Sequence, residues 1–183
     1  ITRNPNLSKA GAPPEFPHQL KKEFGDSWWT GLAPEKCPGF DQERNCLVAL
    51  PLLNLKTATR EDILAYFHNS WTLTELLFQS LKVEEAYVRP PYHALRHPLI
   101  FYYGHPAVLY INKIRIAGFQ KDPINIYLEK VLETGVDEMS WDDMSKNEMN
   151  WPKVSTVHAY RKIIYDIIVD LIKNHPDLNQ LKS

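Results

Sequence analysis

The sequence predicts an all-α protein, a four-helix bundle preceded by a long irregular arm, and three observations carry that expectation. Long segments in the second half repeat apolar residues at three- and four-residue spacing, as helices that bury one face must. No two runs of alternating polarity joined by a turn mark a strand pair. The chain has 183 residues, 44% hydrophobic and 11% aromatic, enough to bury a core around such helices. Residues 1–58 are expected to form the arm, packed on a bundle spanning 59–183.

The arm follows from proline and glycine. Pro5, Gly11, Pro13, Pro14 and Pro17 interrupt helix and strand alike. A helical turn is expected over Phe16–Trp28, then a loop around Trp28-Trp29-Thr30-Gly31 and Cys37-Pro38-Gly39. Adjacent tryptophans left in water would form an apolar patch, so they are expected to lie against the body. Leu47–Leu55 is apolar but broken by Pro51, and is expected to cross the core as an extended connector.

The first helix is expected over about 60–82. Thr59-Arg60-Glu61-Asp62 is a capping-box-like start, and Ile63, Tyr66, Phe67, Ser70, Leu73, Thr74, Leu77 and Leu81 form the stripe. His68 falls beside it, at the boundary or surface. The second helix is expected over 98–117, with Pro98 in its first turn and Gly118 as its C-terminal cap. Pro106 lies inside it and predicts a kink. The third runs from Asp122-Pro123, an N-cap followed by proline, to Gly135. The fourth starts at Trp151-Pro152 and ends near Asn174, with Val154, Val157, Tyr160, Arg161, Ile164, Ile167, Ile168, Leu171 and Ile172 on its apolar face.

Composition excludes several classes of function. Lys plus Arg number 21 against 22 Asp plus Glu, so no net field draws the chain to nucleic acid or an anionic membrane. No apolar run approaches the roughly 18 residues of a membrane-spanning helix, and the start is too polar for a signal peptide. Cys37 and Cys46 form no C-x-x-C pair and no disulfide framework, which fits a reducing cytoplasm. The acidic stretch around Asp137, Glu138, Asp142 and Asp143 lacks the EF-hand spacing and glycine, and is expected to be a solvated loop pinned by Trp141.

The most apolar and aromatic run, Arg96–Lys113, contains His97 and His105 and is approached through His93. An imidazole in such a run is either a hydrogen-bonded core group or a metal ligand. His93 and His97 have H-x-x-x-H spacing, but Pro90, Pro91 and Pro98 leave little room for a helix through both. Beside the expected kink, His105 should turn inward among Tyr102, Tyr110 and Ile111. His158 could face core or edge.

Five segments stand out: YFHNSWTLTELLF (66–78), RPPYHALRHPLIFYYGHPAVLYINK (89–113), ETGVDEMSWDDM (133–144) and WPKVSTVHAYRK (151–162), preceded by WWTGLAPEKCPG (28–39). They closely resemble the N-terminal part of the ovothiol-type 5-histidylcysteine sulfoxide synthases, relatives of the ergothioneine sulfoxide synthases. The resemblance implies a DinB-like four-helix bundle joined to a formylglycine-generating-enzyme-like domain, with non-haem Fe(II) held by three histidines between them. It implies cysteine and histidine as substrates and O2 as co-substrate. In the ergothioneine branch the first ligand is the second histidine of a W-H-x-x-H-T-T-W run. Phe101-Tyr102-Tyr103-Gly104-His105 stands in that place here, so the resemblance implies His105 as the metal ligand.

The other two ligands come in that group from an H-x-x-x-H-x-E run, and nothing after His158 supplies one; His175 has no histidine four residues on. With Ile1 in place of Met, this leads to the expectation of a longer parent chain that carries the remaining ligands, the second domain and, in many ovothiol-type enzymes, a methyltransferase domain. The bundle itself would then be incomplete. Two alternatives stay open: a DinB-like module for interaction or dimerisation without catalysis, and a DinB-type metal-dependent thiol transferase.

Overall fold

A computed structural model of the chain describes residues 28–81, 83–93, 96–133 and 150–176. Within them the fold is mostly helical: α1 (Arg60–Gln79), α2 (Glu84–Val88), α3 (Leu99–Ile116), α4 (Ile126–Glu133) and α5 (Val154–Asn174). A two-stranded antiparallel ribbon, β1 (Phe40–Asp41) with β2 (Cys46–Leu47), pairs Phe40 with Leu47. The sequence reading missed this ribbon because two-residue strands leave no alternating run. Its turn is made by Asp41, whose Oδ1 accepts the Arg44 amide at 2.9 Å, and by Asn45 in the left-handed region at φ 48°, which asparagine tolerates better than most residues.

Local chemistry sets the helix ends. Thr59 Oγ1 accepts the Asp62 amide at 3.1 Å while Asp62 Oδ2 accepts the Thr59 amide at 2.8 Å, a complete capping box on α1. That helix ends at Gln79 rather than 82, and the short α2 was not foreseen. Near the end of α1 the Phe78 carbonyl, which has no further helical turn to serve, accepts the Leu81 amide and the Tyr87 hydroxyl. Pro98 sits just before α3, as its N-cap, and the helix runs through Pro106. At its far end the Phe119 and Gly118 amides reach the Ile114 and Arg115 carbonyls, with Gly118 at φ 82°, a Schellman cap on the expected glycine.

The third helix begins later than expected. Asn125, not Asp122, caps α4: its Oδ1 accepts the Leu128 amide at 3.0 Å, while the buried Glu129 carboxylate takes the Ile124 and Asn125 amides at 2.7 and 2.9 Å. Arg115 and the Tyr160 hydroxyl complete its partners. The expected end at Gly135, the acidic stretch with Trp141 and the turn expected from Phe16 lie outside the described residues.

The core forms where α3 packs on α5 and α4, and α5 packs on α1. Phe67, Trp71, Tyr87, Ile100, Phe101, Tyr103, Val108, Ile111, Leu132, Val157, Ile164 and Ile168 are buried in it, with Trp28 from the arm. On α5 the buried positions follow the expected stripe closely. On α1 they do not: Asn69, Trp71, Thr72 and Glu75 are inside, while Leu77 is exposed. The connector over 47–55 does not cross the core either, since Leu52 is 88% and Leu55 73% exposed. The arm is fastened instead by side-chain hydrogen bonds from α1. Asn69 Oδ1 accepts the Gly39 amide at 2.8 Å and Asn69 Nδ2 donates to the Val48 carbonyl at 2.8 Å.

This clamp requires glycine at 39, because a Cβ there would collide with the Val48 carbonyl and the Asn69 side chain. Gly39→Ala should therefore lower stability by about 2 kcal/mol, the usual scale of overpacking, as measured by urea denaturation; an unchanged midpoint would refute the clamp.

Candidate functional site

Two polar systems lie inside this apolar frame. The first is an ion pair between Glu75 on α1 and Arg161 on α5, both fully buried, with Nη2 and Oε1 3.3 Å apart. The arm completes it. The Thr30 amide donates to Glu75 Oε2 at 3.0 Å, the Thr30 hydroxyl donates to Oε1, and Trp71 Nε1 donates to that hydroxyl at 2.8 Å. The guanidinium lies between the faces of Trp71 and Tyr103, 4.3 and 4.6 Å from their centroids, and its Nη1 donates to the Tyr103 carbonyl at 2.9 Å. Cation–π contact and charge-assisted hydrogen bonds offset the cost of burying both charges.

The second system is the histidines, which the partners of Nδ1 divide into two kinds. His158 is buried against Trp28, and its Nδ1 lies 2.6 Å from the Tyr103 hydroxyl. Its ring also hydrogen-bonds the Trp28 backbone, so Nε2–H donates there and Nδ1 accepts the phenol proton. His68, half-buried at the edge as expected, has Nδ1 2.6 Å from the Tyr165 hydroxyl. Burial holds His68 below the ordinary histidine range and pushes Tyr165 up, so both groups are neutral and the imidazole tautomer decides which of them donates.

His105 is of the other kind. Its Nδ1 lies 2.6 Å from the Leu132 carbonyl on α4, an acceptor only, so Nδ1 must carry the proton and the lone pair is left on Nε2. The ring stacks on Phe101 at 4.9 Å and 20°. It thus faces α4, not the Tyr102, Tyr110 and Ile111 side expected from a kink. Gly104 permits the approach, for a Cβ there would lie 2.5 Å from Leu132 Cδ1 and 3.0 Å from Val157 Cγ1.

A half-buried imidazole with its Nδ1–H tied to a backbone carbonyl is a common arrangement for a metal-ligating histidine. Among the described residues no group of three His, Cys, Asp or Glu side chains could hold a metal ion. His97 is buried against Phe101 and Trp151, whereas His93 is exposed. The H-x-x-x-H pair therefore does not share a helical face. Cys37 is a buried and Cys46 an exposed free thiol.

The sequence reading singled out His105 but missed Glu75 and Thr30. A glutamate and a threonine inside helical or loop sequence are ordinary surface residues until their distant partner is known. A search against protein-family models and one against curated proteins both return no match to this chain.

Removing one member of the buried pair leaves the other charge unpaired. Arg161→Met should lower stability by about 3–5 kcal/mol, and adding Glu75→Leu should restore much of it, both read from urea denaturation. Equal losses in the single and double variants would show that the charges do not act as a pair.

Burial, with the Arg161 charge, depresses His158 to about 4 from 6.5. The unfolded chain therefore takes up this proton first on acidification. The stabilisation is full above about pH 6.5 and is lost as pH falls toward 4, by about 3 kcal/mol in all. Unfolding free energies at pH 7 and 4.5 should converge in His158→Gln relative to the parent; an identical pH slope would refute the assignment.

Proposed function

We propose that these residues are the N-terminal, DinB-like part of a cytoplasmic, non-haem Fe(II)- and O2-dependent sulfoxide synthase that joins the sulfur of cysteine to an imidazole carbon of histidine, as in ovothiol biosynthesis. The observation that carries this reading is the state of His105. It is the histidine to which the sequence resemblance assigns the metal, and of the three with a defined Nδ1 partner it is the one whose partner, a carbonyl, can only accept, so that its Nε2 lone pair is set by the fold. Its ring is held between two helices, where a ligand orientation is fixed before metal arrives. No helix among the described residues is long and apolar enough to cross a membrane, which agrees with this setting.

In this reading His105 supplies one donor, and histidines of an H-x-x-x-H-x-E run outside these 183 residues supply two more. A formylglycine-generating-enzyme-like domain shapes the substrate pocket. Iron in a set of three neutral imidazoles keeps positions open for a thiolate and oxygen, which is the chemistry it contributes when bound. The residues of this chain orient the imidazole and shield one side of it. Phe101 covers a ring face and Leu132 fixes the proton at Nδ1.

A second reading has its own observation. The 47–55 connector leaves Leu52 and Leu55 in water, and exposed apolar segments serve association, as a non-catalytic interaction module would require.

The polypeptide from the complete reading frame, given Fe(II), cysteine, histidine and O2, should yield the sulfoxide conjugate by mass spectrometry. His105→Ala should reduce both bound iron and product by about 100-fold with the far-UV circular dichroism unchanged. These 183 residues alone should bind iron weakly and form no product. Full iron occupancy and turnover in His105→Ala would overturn the proposal.

A further inference from the structure

We propose that Phe101 is a positioning residue for His105, holding the imidazole in the orientation that keeps the proton on Nδ1 and the lone pair on Nε2; this rests on the reading of His105 as a metal ligand. The Leu132 carbonyl can select that tautomer only while Nδ1 faces it. A tilt of the ring about χ2 or a swing about χ1 would carry Nδ1 away and leave the carbonyl without its donor. Phe101 is fully buried one helical turn before His105, and its ring lies 4.9 Å from the imidazole in a near-parallel stack. An aromatic face in that position holds the ring plane, because tilting or swinging the imidazole away from the carbonyl would break the near-parallel stack.

Phe101 is itself immobilised from other sides. His97 packs on it at 4.4 Å, Tyr102 meets its edge at 5.3 Å and Trp151, from the segment before α5, at 6.3 Å. The carbonyl is equally fixed. Leu132 is fully buried on α4, whose first turn is anchored by Glu129. Ring and carbonyl thus come from two helices that are each fastened independently of His105, so the imidazole is set before any metal is present.

Long-range proton–nitrogen NMR on the metal-free chain reads the tautomer, and Fe(II) titration of the polypeptide from the complete reading frame reads the consequence. Wild type should show protonated Nδ1 at His105. Phe101→Met, which keeps apolar volume without a ring, should give mixed tautomers and about 10- to 100-fold weaker iron binding, whereas Phe101→Tyr, which keeps the ring, should retain both. Thermal unfolding checks that each variant folds, and Phe101→Leu replaces the methionine variant should it not fold. A wild-type tautomer in the ringless variant, or a shifted tautomer with unchanged iron affinity, would overturn the proposal. Failure of the ligand reading is distinct: the variants would show the tautomer effect but wild type would bind no iron.

Discussion

The fold depends on one buried ion pair. Glu75 and Arg161 are fully removed from water, and charges in that setting are stable only when most of their hydrogen-bonding capacity is met; here only the Arg161 Nε lacks a hydrogen bond, and the guanidinium face is covered by Trp71 and Tyr103. The partners come from everywhere: Thr30 from the arm, Trp71 from α1, Tyr103 from α3. Helices meeting through apolar side chains alone can slide past one another at small cost. Helices meeting at a carboxylate and a guanidinium have one register in which the pair closes. The arm shares that constraint, since releasing Thr30 would leave Glu75 short of two donors.

The same logic sorts the imidazoles. His68 and His158 pair with phenols and join neighbouring helices as hydrogen-bonded packing groups. His105 meets a carbonyl, and the proton it must place there leaves its other nitrogen unprotonated. Chemical role follows from whether the neighbour has a proton to give, not from the apolar character of the surrounding sequence. The proposed ligand and the other two histidines sit on helices that pack together, each ring held by one atom of a neighbouring helix.

The arm shows a different division of labour. Its anchors are polar or aromatic points, Trp28, Thr30 and Gly39, spaced along an irregular path. Its most apolar stretch, 47–55, remains largely in water apart from half-buried positions such as Leu53. Irregular backbone cannot satisfy its own amides and carbonyls, so it lies where α1 side chains reach it; Asn69, contacting both Gly39 and Val48, is such a place. Apolarity alone gives no address to a chain whose backbone still needs partners.

The sequence by itself determined what is local. The mostly helical character, the Thr59 capping box, the Gly118 cap and the inward face of α5 all depend on residues within a turn or two of each other, and all are in the structure. So, to within a residue or a few, are the starts of α1, α3 and α5. Tertiary structure alone decided which polar side chains go inside and what each ring nitrogen does. Thr30 meets Glu75 across 45 residues, Glu75 meets Arg161 across 86, and His105 meets Leu132 across 27. A buried polar group is stable only beside its partner, and a helix face is read from sequence as though no partner existed. For that reason Leu77 was placed inside and Glu75 was overlooked, and His105 could be named from its motif while the direction it faces could not.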